Sequence, residues 1–264
     1  MRQVHCNGQQ LQVFDEGHGP VLLLVHGFPL DHTMWKPQLA ELAKDARVIA
    51  PDLRGFGGSL INDHTVLMEQ YADDLAGLLD QLEIDQPVVF CGLSMGGYIA
   101  WQFWKRYPAR LEKLIVCDTR AVNDSPEVAR GRQLMAERAM REGTGFIAET
   151  MLPKLLAPDT HTQCPELVDD LRKLVASASP MSVAAAQRGM SQRVDVSGWL
   201  PNINVPTLVI CGQYDVVSPC EEMRDIAAAL PDAVFVELND AGHMAPLENP
   251  AEFNLALRDF CEWR

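Results

Sequence analysis

The chain has 264 residues, of which 47% are hydrophobic, and this is enough to bury the core of one large α/β domain. Its net charge of -14 excludes a nucleic-acid-binding groove, because phosphate binding needs clustered lysine and arginine side chains. The seven cysteines lack metal-ligand spacing, and neither a signal peptide nor a membrane-length apolar run is recognisable. We therefore expect a cytoplasmic protein that binds neither nucleic acid nor membranes.

The first strands are predicted to form a hairpin. Segments 3–6 and 11–14 alternate polar and apolar residues and are joined at Asn7-Gly8, a pair that favours a tight antiparallel turn. Six mostly apolar runs follow, as expected for strands buried on both faces of a sheet: 21–25, 47–50, 88–91, 114–117, 207–211 and 234–238. Helical patterns accompany them at 33–44, 66–82, 97–107, 220–230 and 251–263. This alternation predicts an α/β fold in which a mainly parallel, eight-stranded sheet is flanked by helices.

The stretch between Cys117 and Thr207 interrupts this alternation of strands and helices, because it contains helical patterns and no convincing strand. The helical segments are 126–141, 166–178 and 181–190. An insertion of this kind typically forms a lid over the edge of the sheet. We therefore predict one α/β core made of residues 1–118 and 206–264, with a helical lid at 119–205 inserted after the sixth strand.

The most informative motif is Gly92-Leu93-Ser94-Met95-Gly96, which lies between an apolar run and a helical pattern. Strand, G-x-S-x-G and helix in this order form a nucleophile elbow, a turn so sharp that only glycine fits two positions before and after the serine. The turn exposes the serine hydroxyl and directs the first amides of the helix towards a group beside it. Ser94 is therefore predicted to be a catalytic nucleophile.

Partners for Ser94 are expected at the carboxyl ends of the other parallel strands, where ligands bind in open α/β sheets. Asp215 follows the run 207–211, and His243 follows the run 234–238. Asp118 ends the run 114–117 and is the alternative acid. We favour Asp215 and interpret Asp118 as a cap or as a buried partner of Arg120.

These residues resemble the α/β-hydrolase superfamily over nearly the whole chain, since serine, aspartate and histidine follow one another in the order of its triads. Supporting motifs are HGFP at 26–29, PDLRGFGGS at 51–59 and HMAPLENP at 243–250. Within the superfamily the chain most resembles small cytoplasmic esterases grouped with 3-oxoadipate enol-lactonases and cofactor-free haloperoxidases. The resemblance implies a Ser-His-Asp mechanism with no metal and no cofactor.

The chemistry of these residue types agrees with that mechanism. His243 would take the Ser94 proton during attack and return it to the leaving alcohol, while Asp215 fixes the imidazole tautomer and stays ionised. We assign the oxyanion hole to the backbone N–H groups of Phe28 and Met95, because the tetrahedral intermediate needs two preorganised donors.

Neighbouring residues have structural interpretations. His26 is expected to shape the oxyanion loop through hydrogen bonds, and His32 is expected to be a surface residue. Asp52 and Arg54 are interpreted as a structural turn pair. Four methionines are candidates to line an acyl pocket: Met135, Met140, Met151 and Met190.

The leading functional interpretation is a carboxylesterase-type serine hydrolase that acts on small or medium uncharged esters, because the lid is apolar. The enzyme alternative is a lactone hydrolase resembling 3-oxoadipate enol-lactonase, whose carboxylated substrate needs pocket cations such as Arg120, Arg132 or Arg188. The resemblance at Phe28-Pro29 to haloperoxidases adds a perhydrolase side activity, tested by peracid formation from acetate and peroxide. The non-enzyme alternative is a ligand receptor on the same fold.

Overall fold

The computed structural model describes residues 1–263, so Arg264, the last residue of the predicted core, lies outside the described residues. Within these residues eight strands form one sheet: Arg2–Cys6 (β1), Gln9–Glu16 (β2), Val21–Val25 (β3), Arg47–Pro51 (β4), Val88–Leu93 (β5), Leu111–Cys117 (β6), Thr207–Gly212 (β7) and Ala233–Leu238 (β8). Their spatial order is β1-β2-β4-β3-β5-β6-β7-β8. The pairs β1–β2 and β2–β4 are antiparallel, and the other neighbours are parallel. The predicted mainly parallel, eight-stranded sheet is confirmed.

Eleven α-helices lie within the same residues, at Lys36–Leu42 (α1), Met68–Gln81 (α2), Met95–Arg106 (α3), Pro126–Glu142 (α4), Gly145–Leu155 (α5), Thr160–Gln163 (α6), Pro165–Ser177 (α7), Pro180–Met190 (α8), Cys220–Ala229 (α9), Ala245–Glu248 (α10) and Pro250–Cys261 (α11). Helix α5 was not predicted, because Gly145 and Pro153 are residues that usually interrupt a helix. Its buried Ile147 and Leu152 and its packing on α7 outweigh those propensities. None of the helices among residues 1–263 has both the length and the apolar character needed to cross a bilayer.

The antiparallel hairpin strands and the inner parallel strands differ in how they are connected and buried. Asn7 and Gly8 join β1 to β2 with φ values of 48° and 74°, the left-handed conformations that a tight hairpin turn requires. Only alternate residues of β1 are buried, whereas every residue of β3, β5 and β7 is buried. Continuous burial explains why these three parallel strands read as unbroken apolar runs in the sequence. Strand β8 lies at the edge of the sheet and only its Leu238 is buried, so the predicted burial of 234–238 on both faces is wrong.

Helices α4 to α8 form one insertion between β6 and β7, and we call them the helical insertion. Within it α4 packs on α8 and α5 packs on α7. Helix α8 also contacts the core, because the Val66 amide donates a 3.2 Å hydrogen bond to the Ala185 carbonyl. At the same contact a Cβ atom on Gly189 would lie 1.7 Å from the Val66 carbonyl oxygen, so only glycine permits this approach.

The Gly189→Ala substitution is expected to lower the free energy of unfolding by about 2–3 kcal/mol, because the added methyl group forces α8 away from Val66. Gly131→Ala is the matched control, since a Cβ atom there meets nothing within 4 Å and alanine favours a helix by up to about 1 kcal/mol. Urea unfolding of both variants measures the difference. Equal midpoints for the two variants would contradict the proposed packing constraint.

Candidate active site

Ser94 stands between the end of β5 and the first residue of α3, in the strand–turn–helix arrangement predicted for it. Its backbone has φ 53° and ψ -111°, a conformation that residues with a side chain rarely adopt. Close packing holds it there, because a Cβ atom on Gly92 would lie 2.3 Å from the Gly96 carbonyl oxygen. A Cβ atom on Gly96 would lie equally close, 2.3 Å, to the carbonyl oxygen of Val25. Both glycines are therefore required by the turn.

His243 and Asp215 form a buried hydrogen-bonded pair at the carboxyl ends of β8 and β7. The imidazole Nδ1 lies 2.8 Å from Asp215 Oδ2, and the two residues are 3% and 5% exposed. Asp215 Oδ1 also accepts the amides of Val217 and Ser218 at 2.7 and 3.0 Å. Three donors therefore stabilise the carboxylate charge, and the carboxylate favours the tautomer with its proton on Nδ1, which leaves Nε2 free to act as a base.

Ser94 and His243 line one cavity of about 230 Å³. Among residues 1–263 no hydrogen bond joins the Ser94 hydroxyl to the imidazole, as is common in ligand-free sites whose catalytic hydrogen bonds tighten around substrate. The helical insertion supplies much of the remaining wall, including Met135, Met151 and Met190. The fourth candidate, Met140, is 51% exposed and is not among the lining residues, so its predicted place in the pocket is wrong.

The two amides assigned to the oxyanion hole flank Ser94. Met95 begins α3, and Phe28 lies in the cavity wall on the loop after β3. In the described part of the chain, neither amide donates a hydrogen bond to a protein atom. A Cβ atom on Gly27 would lie 3.4 Å from the Ser94 Cβ, so the loop after β3 packs directly on the turn at Ser94. The loop that carries Phe28 and the first residue of α3 therefore both adjoin Ser94, as the predicted oxyanion hole requires.

His26 stabilises the loop after β3 through two hydrogen bonds. Its Nε2 accepts the Leu53 amide at 2.9 Å, and its Nδ1 lies 2.9 Å from the Gly27 carbonyl. The residue is fully buried, and this burial lowers the pKa of the imidazole despite the favourable carbonyl contact. A neutral ring with its proton on Nδ1 satisfies both bonds, in agreement with the hydrogen-bonding role predicted for His26.

One predicted pairing and one predicted surface position in the neighbouring loops are wrong. Asp52 does not pair with Arg54; its Oδ1 lies 2.6 Å from His32 Nδ1, and Arg54 instead donates to the buried Asp74 at 2.6 Å. His32 is therefore half-buried in an ion pair rather than a free surface residue. The error arose because the partner residues are distant in sequence and meet only when the strand ends converge.

The alternative acid, Asp118, lies beside Asp215 but makes different bonds. Its Oδ1 accepts the Gly212 amide at 2.8 Å, while Arg120, its predicted partner, pairs with Glu222 at 2.8 Å. The predicted Asp118–Arg120 pair is therefore wrong. Among the described residues it is Asp215, not Asp118, that is hydrogen-bonded to His243.

Glu248 is a buried carboxylate whose role was not predicted, although it lies inside the quoted motif at 243–250. Its Oε1 accepts the Gly242 amide at 2.8 Å, next to His243. Its Oε2 accepts the Ala157 amide and the Thr160 hydroxyl, both at 2.7 Å, from the helical insertion. Glu248 therefore ties the histidine loop to the insertion, a link that no local pattern in the sequence indicates.

The chain belongs to the family described as alpha/beta hydrolase fold, whose model matches residues 20–250. It is therefore a hydrolase of the α/β fold. It is similar to a thermophilic esterase from Thermogutta terrifontis, solved with malate bound, with 46% identity, 99% and 98% of the two chains covered and a TM-score of 0.98. It is also similar to the enol-lactonase from Burkholderia xenovorans LB400, with 31% identity, 99% and 100% covered and a TM-score of 0.92. Among curated proteins, 3-oxoadipate enol-lactonase 2 of Acinetobacter baylyi is 28% identical over 92% of this chain and 89% of its own length.

The ion pair of His32 with Asp52 predicts a pH-dependent stability. Burial lowers the pKa of His32, but the hydrogen bond and charge of Asp52 outweigh it and the net shift is upward. The pair's contribution is then complete below the pKa of unfolded histidine, about 6.5, and is lost as pH rises through the higher folded value. His32→Gln should therefore lower Tm more at pH 5.5 than at pH 8.5.

The exposed His18 offers the matched control, because it forms no ion pair among the described residues and His18→Gln should change Tm little. Differential scanning calorimetry measures both variants against the natural protein. A His32→Gln difference that grew towards alkaline pH would contradict the assignment.

Proposed function

We propose that the protein is a serine hydrolase of carboxylic esters, with Ser94 as nucleophile, His243 as general base and acid, and Asp215 as the group that orients the imidazole. The observation that supports this most is the shared cavity. A serine in a strained turn and a histidine whose Nδ1 is held by a buried carboxylate face the same space of about 230 Å³. This combination is what nucleophilic catalysis at an acyl carbon requires.

The reaction follows from the positions of these groups. Ser94 Oγ attacks the acyl carbon while His243 Nε2 takes its proton, and the amides of Phe28 and Met95 stabilise the oxyanion. The imidazolium then protonates the leaving alcohol, which leaves an acyl group on Ser94. Water, activated by the neutral imidazole, hydrolyses this ester and restores the serine. Hydrogen peroxide in place of water would give a peracid, and the predicted perhydrolase side activity rests on that substitution.

We infer that residues 119–205 act as a lid over a core made of residues 1–118 and 206–264. The insertion contributes Met135, Met151 and Met190 to the cavity, so acyl groups would contact it directly. The similarity to a thermophilic esterase supports the ester as the substrate class.

Ser94→Ala is expected to lower kcat on a chromogenic acetate ester at least about 1,000-fold, because no other group can carry the acyl intermediate. It should also abolish labelling by a fluorophosphonate probe. Ser197→Ala, at an exposed serine between α8 and β7, is the control and should keep both properties. Labelling of the natural protein without any turnover would favour the ligand receptor over the enzyme.

A second candidate function, hydrolysis of esters or lactones that carry a carboxylate, is favoured by the charge of the cavity. Arg132 and Lys154 line it, and no aspartate or glutamate is among the described residues that do so. Asp124 neutralises only part of this charge, because its carboxylate is shared between Arg132 and Arg193 at 2.5 and 2.8 Å. Within residues 1–263, Arg132 Nη1 makes only long contacts, 3.3 Å to Gln187 Oε1 and 3.5 Å to the Met190 sulfur, so it is available to a substrate anion.

The other two arginines considered for this role lie elsewhere. Arg120 pairs with Glu222, and Arg188 donates to the His64 carbonyl at 2.8 Å; neither lines the cavity. Arg132 and Lys154 in the cavity therefore favour anionic substrates, in contrast to the expected preference for uncharged esters.

Arg132→Gln and Lys154→Gln should each lower kcat/KM for a p-nitrophenyl hemisuccinate about tenfold, because each removes a cation that attracts the substrate carboxylate. Turnover of the neutral p-nitrophenyl butyrate should stay within about twofold. Arg188→Gln is the matched control and should affect neither substrate. Equal losses on both esters would show that the two cations serve folding or the common mechanism rather than the choice of anion.

A further inference from the structure

Two carboxyl groups lie side by side behind the imidazole of His243. Asp118 directly follows β6, and Asp215 lies on the loop after β7. A carboxylate oxygen of Asp118 lies within 4.8 Å of a carboxylate oxygen of Asp215. Asp118 is 0% exposed and Asp215 is 5% exposed. Two buried carboxylates this close do not both ionise at neutral pH, because burial and the repulsion between two like charges disfavour a second negative charge.

The hydrogen bonds show which of the two holds the proton. Asp215 accepts three donors, one from His243 and two from backbone amides. Asp118 accepts one, from the Gly212 amide at 2.8 Å, and its Oδ2 is buried without a partner among the described residues. An ionised carboxylate is stabilised by donors, so the charge belongs on Asp215 and the proton on Asp118.

The charged and titratable groups around Asp118 reinforce this assignment. Cys117, Cys211, Asp215 and Glu248 lie around it, and none of these four is a cation. The imidazole of His243 is hydrogen-bonded to Asp215 rather than to Asp118. The nearby Arg120 is neutralised by Glu222. Burial, followed by the charge of Asp215, holds the pKa of Asp118 well above its ordinary range.

The backbone of Asp118 is also hydrogen-bonded to β7 and to the loop that carries Asp215. Its amide donates to the Ile210 carbonyl at 3.0 Å, and its carbonyl accepts the Ser218 hydroxyl at 3.1 Å. Its φ of 46° places the residue in the left-handed region, which directs the side chain towards Gly212 and Asp215. Three hydrogen bonds thus connect this one residue to β7 and the acid loop.

We infer that Asp118 is a neutral carboxylic acid which donates its Oδ2 proton to the Asp215 carboxylate and so positions that carboxylate against His243. This inference rests on the proposed serine mechanism. Asp118 is a positioning residue, because it touches neither the substrate nor the imidazole. Its neutrality keeps the charge behind His243 at a single negative unit.

Asp118→Asn and Asp118→Ala separate this role from a merely structural one. An asparagine can still accept the Gly212 amide and donate to Asp215, so kcat should stay within about threefold of the natural protein. The acid limb of its kcat/KM profile, which reports protonation of the imidazole, should keep its midpoint because no charge is lost. Asp118→Ala removes the donor, and kcat should fall at least about tenfold with KM within about twofold. An acid limb displaced by about one pH unit towards lower pH in Asp118→Asn would show that Asp118 is ionised and would overturn the inference.

Infrared spectroscopy gives a readout that does not depend on turnover. At neutral pH the natural protein should show the carbonyl stretch of a protonated carboxylic acid, which Asp118→Asn lacks and Ser94→Ala retains. If that stretch is missing, Asp118 holds no proton and the inference fails, whatever the activity. If the stretch is present but Ser94→Ala keeps full turnover, the proposed mechanism fails and the proton on Asp118 stands.

Discussion

The strained backbone of Ser94 is the constraint on which the whole site depends. A residue with a side chain in this conformation costs roughly 1–3 kcal/mol, so the surrounding packing must hold it. Gly92 and Gly96 allow β5, α3 and the carbonyl of Val25 to approach within distances that no side chain permits. The same approach brings Gly27 against Ser94, so the turn of the nucleophile also sets the loop that carries the Phe28 amide.

The polar groups at this edge of the sheet are buried, and each is either neutral or held by several hydrogen bonds. His26 is a neutral ring between a donor and an acceptor, and Asp215 is an anion with three donors. Asp118 has a single donor, which is why the proton of the carboxyl pair belongs to it. The number of donors, rather than the type of side chain, decides which groups carry charge here.

The helical insertion determines the character of the cavity. A protein with a net charge of -14 places Arg132 and Lys154, and no described acidic residue, in the wall around Ser94 and His243. Helix α5, which supplies Lys154 and Met151, is the helix that propensity did not indicate. Glu248 connects this insertion to the histidine loop. The cavity wall and the loop that holds His243 are therefore linked through a buried carboxylate.

The sequence was enough to predict the sheet, its flanking helices and the triad candidates, because apolar runs, turn residues and the G-x-S-x-G motif are local patterns. It also indicated the correct partner of His243, since Asp215 and His243 both follow strands whose ends meet at one edge of the sheet. Three features are seen only in the folded chain: Asp52 pairs with His32, Arg120 pairs with Glu222 and not with Asp118, and particular insertion residues reach the cavity. These contacts join residues far apart in the chain, and a hydrogen bond or an ion pair depends on distances that folding sets and no local pattern records.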